Sequence, residues 1–200
     1  YSSMDSLVSY LISNFCQILN LSEISKITDV KNYRTLKKYF DYLEKSYICA
    51  FLYEFNFKPS KSISSKQKVY FYDNSFLMYK NLFNSENTGF FFENLVFTEL
   101  LKKGIVPNYD FFYYRTKGGY EVDFIIKQGV KVTALVQVCY DIFNTKTENR
   151  EIRSLIKASE ELSCHNLFVI TKNIAKKVEK DGMVVKFIPF DSFYQEAFKF

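Results

Sequence analysis

YYRTKGGYEVDFII, residues 113–126, carries the end of one ring-rich strand, a double glycine and the start of a second strand. Phe111 to Tyr114 has the β-branched or aromatic character that suits a pleated surface, and Gly118-Gly119 permits a tight turn. Glu121 to Ile126 then runs outward to Gln128-Gly129, a second turn, and Ala134 to Cys139 follows. Three strands joined by such short turns predict an antiparallel meander.

Working outward, FFFENLVFTELL (90–101) predicts a strongly apolar helix ahead of the meander, ended by Gly104 and Pro107. Behind it, Asn149 to Leu162 predicts an amphipathic helix with Ile152, Leu155, Ile156 and Leu162 inward. Leu167 to Ile170 reads as a buried strand. Because it is reached through a helix, it should lie parallel to a neighbour. Val184 to Pro189 adds one more strand. The expected region, 81–200, is therefore α/β with a mixed central sheet.

The first 80 residues read differently. Leu7, Val8, Leu11, Ile12 and Phe15 recur at helical spacing, and a short helix follows from Leu21 to Ile27 with Ser22 as a cap. Asp29 or Asn32 can cap the third helix, whose stripe is Tyr33, Leu36, Phe40 and Leu43. Strands are expected at Tyr47–Tyr53 and Lys68–Tyr72, separated by KPSKSISSKQ (58–67), which reads as a basic wing or a solvated loop. Three helices, the third basic, and then strands is the order of a winged helix-turn-helix.

Composition bounds the rest. At 200 residues, 48% hydrophobic and 24% charged, the chain can build a real core, and its 22 Phe and 16 Tyr make that core aromatic. The net charge of +5 permits a nucleic-acid partner without arguing strongly for one. No apolar run approaches the ~18 residues of a membrane span, and Tyr1 to Asp5 lack the charged start and apolar stretch of a secretory signal. A cytoplasmic chain without a membrane partner is expected. A start at Tyr1 reads as a fragment with an upstream module missing. Cys16, Cys49, Cys139 and Cys164 form no CxxC pair, so they read as reduced, buried thiols rather than a zinc site. His165, beside Cys164 in a turn, reads as structural, because neighbours in extended chain point opposite ways. No GxxxxGK[ST] loop is present, so this chain alone is not a P-loop ATPase.

Polar residues interrupt the apolar elements at particular places. Glu93 lies in the helix, Asp123 between Val122 and Phe124, and Gln137 with Cys139 on one face of the third strand. Four stretches carry a resemblance: KNYRTLKKYFDYLEKSYI (31–48), GFFFENLVFTELL (89–101), YYRTKGGYEVDFII (113–126) and LVQVCYD (135–141). Together they resemble the C-terminal region of a group of prokaryotic and archaeal AAA-type ATPases, a winged helix followed by a PD-(D/E)XK nuclease-like αβββαβ domain.

That resemblance implies catalytic and metal positions at Glu93 and Asp123, with Mg²⁺ as the cation of an active site of this kind. Gln137 stands where an acid is implied and Cys139 where a lysine is implied. One negative charge and the ammonium are thereby lost, since a protonated thiol cannot replace an amine. The site is expected to be degenerate and inactive unless Arg115, Lys117 or Lys127 reaches in. Asp123 otherwise serves a turn hydrogen bond or pairs with Arg115. ATP with Mg²⁺ belongs by the same resemblance to the missing ATPase module, and the fragment itself is expected to hold no cofactor. On the third helix Lys31, Asn32, Arg34, Thr35 and Lys38 are placed to contact DNA. A migrated-lysine nuclease and a protein-interaction module are the alternatives.

Overall fold

The computed structural model describes residues 3–63, 66–79, 87–142, 145–195 and 200. Three helices come first: α1 (Ser3–Ser13), α2 (Leu21–Thr28) and α3 (Tyr33–Lys45). The cap of α2 is Asn20, whose side chain accepts from the Glu23 N–H at 3.4 Å; Ser22 already lies inside the helix. Asn32 caps α3, accepting from the Arg34 N–H at 2.9 Å, while Asp29 sits past the end of α2 with φ of 54°. The chain then turns through Tyr47, also at φ 54°, so β1 (Cys49–Tyr53) begins later than its ring content predicts. β1 pairs antiparallel with β2 (Gln67–Phe71).

Between them the expected wing or loop is instead partly helical. α4 (Pro59–Ile63) forms there, and the Ser62 hydroxyl accepts from the Asn56 N–H at 2.8 Å. Positions 64–65 lie outside the described residues, as does the expected domain division at 80/81.

α5 (Ser75–Tyr79) and α6 (Thr88–Lys102) lead to β3 (Phe111–Arg115), β4 (Glu121–Gln128) and β5 (Lys131–Cys139). After α7 (Thr145–Leu162) come β6 (Leu167–Thr171), β7 (Lys176–Lys180), β8 (Met183–Pro189) and α8 (Phe190–Tyr194). The six-stranded sheet has the order β3-β4-β5-β6-β8-β7. β3, β4 and β5 form the predicted meander, β6 runs parallel to β5 and to β8, and β7 pairs antiparallel with β8. The edge strand β7 went unpredicted because KKVEK is polar. Its turn is nevertheless an Asp181-Gly182 pair, both at positive φ, a strong hairpin signal.

Alternation along the central strands builds two cores. Phe124, Ile126, Ala134, Val136, Phe168 and Ile170 join the helices α1, α3 and α6 in one cluster. Ile125, Leu135, Leu167, Val169 and Val185 face α7 in the other. β1 and β2 belong to the first cluster, and the Phe55 N–H donates to the Tyr113 carbonyl at 2.8 Å. β2 therefore lies beside α6 and the start of the meander.

Candidate functional site

The ladder between β4 and β5 stops at the pair Phe124/Val136. Past it β5 stays with β6, through Gln137/Val169 and Val138/Ile170, so the two strands part and their backbone needs other partners. Side chains supply them. The Asp123 N–H donates to Gln137 Oε1 at 3.2 Å, and the Val138 N–H donates to Asp123 Oδ2 at 2.8 Å. The fork opens a cleft of about 700 Å³ that α6 closes from one side and α7 from another; Glu93, Glu121, Asp123, Gln137 and Glu151 line it.

One ammonium stands among these carboxylates, and it comes from β2. Lys68 Nζ is 2.7 Å from Glu121, 3.1 Å from Glu93 and 3.7 Å from Asp123. It is 2% exposed. Burial alone would push the amine down, but Glu93, Asp123 and Glu121 outweigh it and hold Lys68 well above the usual lysine value. Tyr70, two residues along the same face of β2, donates to Glu93 Oε1 at 2.7 Å. Burial raises the Glu93 carboxyl, and Lys68 and Tyr70 oppose it. Asp123 is pushed well above the usual carboxylate range, by burial first and then by Glu93, with Lys68 opposing.

Next to Glu93 on α6, Asn94 fastens the end of β2. Its side chain accepts from the Phe71 N–H and donates to the Phe71 carbonyl, both at 2.8 Å. A single turn of α6 thus grips β2 by its backbone and by its charge.

Glu93, Asp123 and Gln137 therefore line one cleft. Cys139 does not join them: it is buried with the α7 core, its Sγ donating to the Asp141 carbonyl at 3.3 Å. Burial, then Glu151, pushes its thiol up to about 12, so it is no substitute for an amine. Of the other cations considered, Arg115 Nε lies 3.8 Å from Glu54 and Lys127 Nζ donates to the Gly129 carbonyl, while the backbone N–H of Lys117 donates to Glu161.

Two residues that sequence reasoning passed over complete the site, Lys68 and Glu151. Gln137 Nε2 donates to Glu151 Oε2 at 2.6 Å, and Arg150 Nη2 donates to Glu151 Oε1 at 2.6 Å. A signal existed for each. Lys68 interrupts the apolar run of β2, and Glu151 sits on the α7 stripe with Leu155, Ala158 and Leu162.

These donors do not suit a divalent cation as they stand. An ammonium fills the space between the carboxylates, and both ends of the Gln137 amide are engaged. No group of three or more His, Cys, Asp or Glu among the described residues is arranged to hold a metal ion.

Lys31 and the cap Asn32, just ahead of α3, are exposed, as are Arg34 and Lys38 within it; Thr35 is half-buried, while Leu36, Phe40 and Leu43 pack inward. No helix among the described residues is long and apolar enough to cross a membrane.

Two family models match the chain. Residues 88–193 match "Domain of unknown function (DUF4143)" and residues 2–87 match "Domain of unknown function (DUF8612)". A curated relative, "Uncharacterized protein MJ1544" of Methanocaldococcus jannaschii, is 33% identical over 190 residues, covering 90% of this chain. The chain spans 41% of that relative's length. Among solved structures, the assembly of Thermococcus gammatolerans McrB AAA+ hexamers with bound McrC aligns with 51% of this chain and 28% of its own. At a TM-score of 0.35 and 7% identity that likeness is too slight to support an argument.

Proposed function

The chain belongs to the DUF4143 family, and we propose that it is the nucleic-acid-gripping region of an AAA-type ATPase, with a nuclease-like cleft that does not cut. On this reading residues 1–80 are a winged helix-turn-helix whose α3 meets DNA, and residues 81–200 are a PD-(D/E)XK-like domain. ATP and Mg²⁺ act on the upstream ATPase module. One observation carries the proposal: Lys68 supplies, from within the fold, the positive charge that a nuclease would take from a cation. With Gln137 in place of an acid and Lys68 seated between Glu93, Asp123 and Glu121, an ammonium takes the place a dication would need.

Exposed Lys31, Arg34 and Lys38 support the DNA contact, because phosphates are neutralised by mobile surface cations. The expected outcome is duplex binding that weakens steeply as salt rises and is lowered by Arg34→Glu with Lys38→Glu, with plasmid left intact in Mg²⁺ or Mn²⁺. A second reading, a nuclease with a migrated lysine, is favoured by the closeness of Lys68 Nζ to Asp123, 3.7 Å. Plasmid cleavage abolished by Asp123→Ala would establish that reading and overturn the first. Duplex binding indifferent to salt and to charge reversal on α3 would leave only a protein-docking module.

A further inference from the structure

α3 ends on a residue ill suited to its place. The Tyr47 N–H donates to the Glu44 carbonyl at 3.0 Å and the Ile48 N–H to the Leu43 carbonyl at 3.2 Å. This pair of backbone bonds ends a helix through one left-handed residue, a position that glycine usually takes because a Cβ is strained there. Here it is tyrosine, at φ 54°, the one aromatic residue at positive φ among the described residues. Burial does not offset the strain. The ring leans on half-buried Tyr72, with centres 5.8 Å and planes 58° apart, yet Tyr47 is 76% exposed.

The helix surface that leads to this ring is cationic. Positions three or four apart on a helix are neighbours, so Arg34, Lys38, Tyr42 and Lys45 form one ridge along α3, and all four are exposed. Tyr42, 55% exposed, stands between Lys38 and Lys45. Among the described residues none of these three cations enters an ion pair. Of the two acids of α3, Glu44 accepts from the Phe51 N–H at 3.1 Å and Asp41 is half-buried, so the ridge keeps a net positive charge.

We propose that α3 takes DNA at a junction: the ridge lies along duplex phosphates, and Tyr47 stacks on an unpaired base where a single strand leaves the duplex. The inference rests on the reading that α3 meets DNA and adds to it the kind of DNA preferred. Inside a duplex the faces of each base are already stacked, so a free ring finds nothing to accept there. An unpaired base has a face to offer, and base–aromatic stacking tolerates any sequence. An apolar protein segment would meet a row of cations beside the ring, whereas that row attracts phosphates.

The test is fluorescence anisotropy with a labelled blunt duplex and the same duplex carrying a short single-stranded oligothymidylate tail. The proteins are the chain, Tyr47→Gly, and Arg34→Glu combined with Lys38→Glu. Glycine is unstrained at this φ, so Tyr47→Gly keeps the fold, and far-UV circular dichroism checks this. The chain is expected to bind the tailed probe more tightly than the blunt one. Tyr47→Gly is expected to weaken tailed-probe binding about ten-fold, the loss of roughly one stacked base, and to leave blunt-duplex binding unchanged. A tail also adds phosphates, so the loss in Tyr47→Gly decides, rather than the preference itself. Tailed-probe affinity unmoved by Tyr47→Gly overturns the proposal, and so does an equal loss for both probes, since the ring then serves α3 and not the tail. Duplex binding that falls with the charge reversal while the tail brings no gain overturns the junction site alone. Failure to bind either probe, or indifference to the charge reversal, overturns the α3 reading and this site together.

Discussion

Replacing Lys68 by Met keeps most of the side-chain stem beside Tyr113 and removes only the ammonium. The three carboxylates then face one another without a counter-charge. Glu121, with its side chain 36% exposed, can turn to water and contributes little. Glu93 and Asp123, each with a side chain 10% exposed, cannot. Removing one member of a buried ion cluster costs about 3–5 kcal/mol, and the lower end applies here because a carboxyl can take up a proton instead. About 3 kcal/mol at neutral pH, with a urea slope of about 2–3 kcal/mol per M, lowers the unfolding midpoint by about 1–1.5 M. The chain has no Trp, so far-UV circular dichroism is the readout.

The pH dependence sharpens the test. Glu93 and Asp123 are raised in the folded state, so their contribution is fully present below the ordinary carboxylate range and is lost as pH rises through the raised values. Without Lys68 these values rise further, and Lys68→Met should regain stability between pH 7 and pH 5 more steeply than the parent. Adding Glu93→Gln and Asp123→Asn should recover most of the loss, because neutralising a whole buried cluster costs little. A Lys68→Met loss below about 1 kcal/mol, with the parent's pH profile, would refute the reasoning, since that is the worth of a surface pair.

Other expectations follow from the same contacts. Asn94→Ala strands the Phe71 N–H and carbonyl, and should cost about 2–4 kcal/mol in urea unfolding. Gln137→Glu brings a second carboxylate to the 2.6 Å contact with Glu151; the variant's midpoint should fall at neutral pH and recover on acidification, while an unchanged midpoint would mean that the pair separates freely. The thiols of Cys16, Cys49 and Cys139 are all raised by burial, the last two to about 12, so a disulfide reagent should label them only after urea unfolding. Lys68 is raised as well, so its stabilisation persists below the ordinary lysine range and is lost only as pH climbs through a still higher value; parent and Lys68→Met midpoints should differ at least as much at pH 9 as at pH 7.

The meander and both flanking helices were legible because their apolar runs are long and their turns carry Gly118-Gly119 and Gln128-Gly129. The meeting of Glu93, Asp123 and Gln137 was implied by the resemblance and not by parity, which puts Asp123 and Gln137 on the side of Ile125 and Leu135, away from α6; the parting of β4 and β5 is what opens them to Glu93. Lys68 was not legible. Its partner Glu93 lies 25 residues away, and in a lysine-rich stretch one more lysine reads as solvated. The interrupted pattern of β2, with Lys68 and Tyr70 on one face, was the available clue. Glu151 was passed over for the opposite reason: in a helix rich in charge, one acid on the apolar stripe does not stand out. α4 was hidden because Pro59 and two serines suit a loop as well as a first helical turn.

The segments matched by the two family models meet between residues 87 and 88, yet the ion cluster straddles that border. Lys68 and Tyr70 lie upstream, and every acid they serve lies downstream. Heredity is constrained accordingly. A recombination event that delivered the downstream half to a new upstream neighbour would inherit crowded anions without their cation, so the halves must travel as a couple or the acids must change in the same lineage.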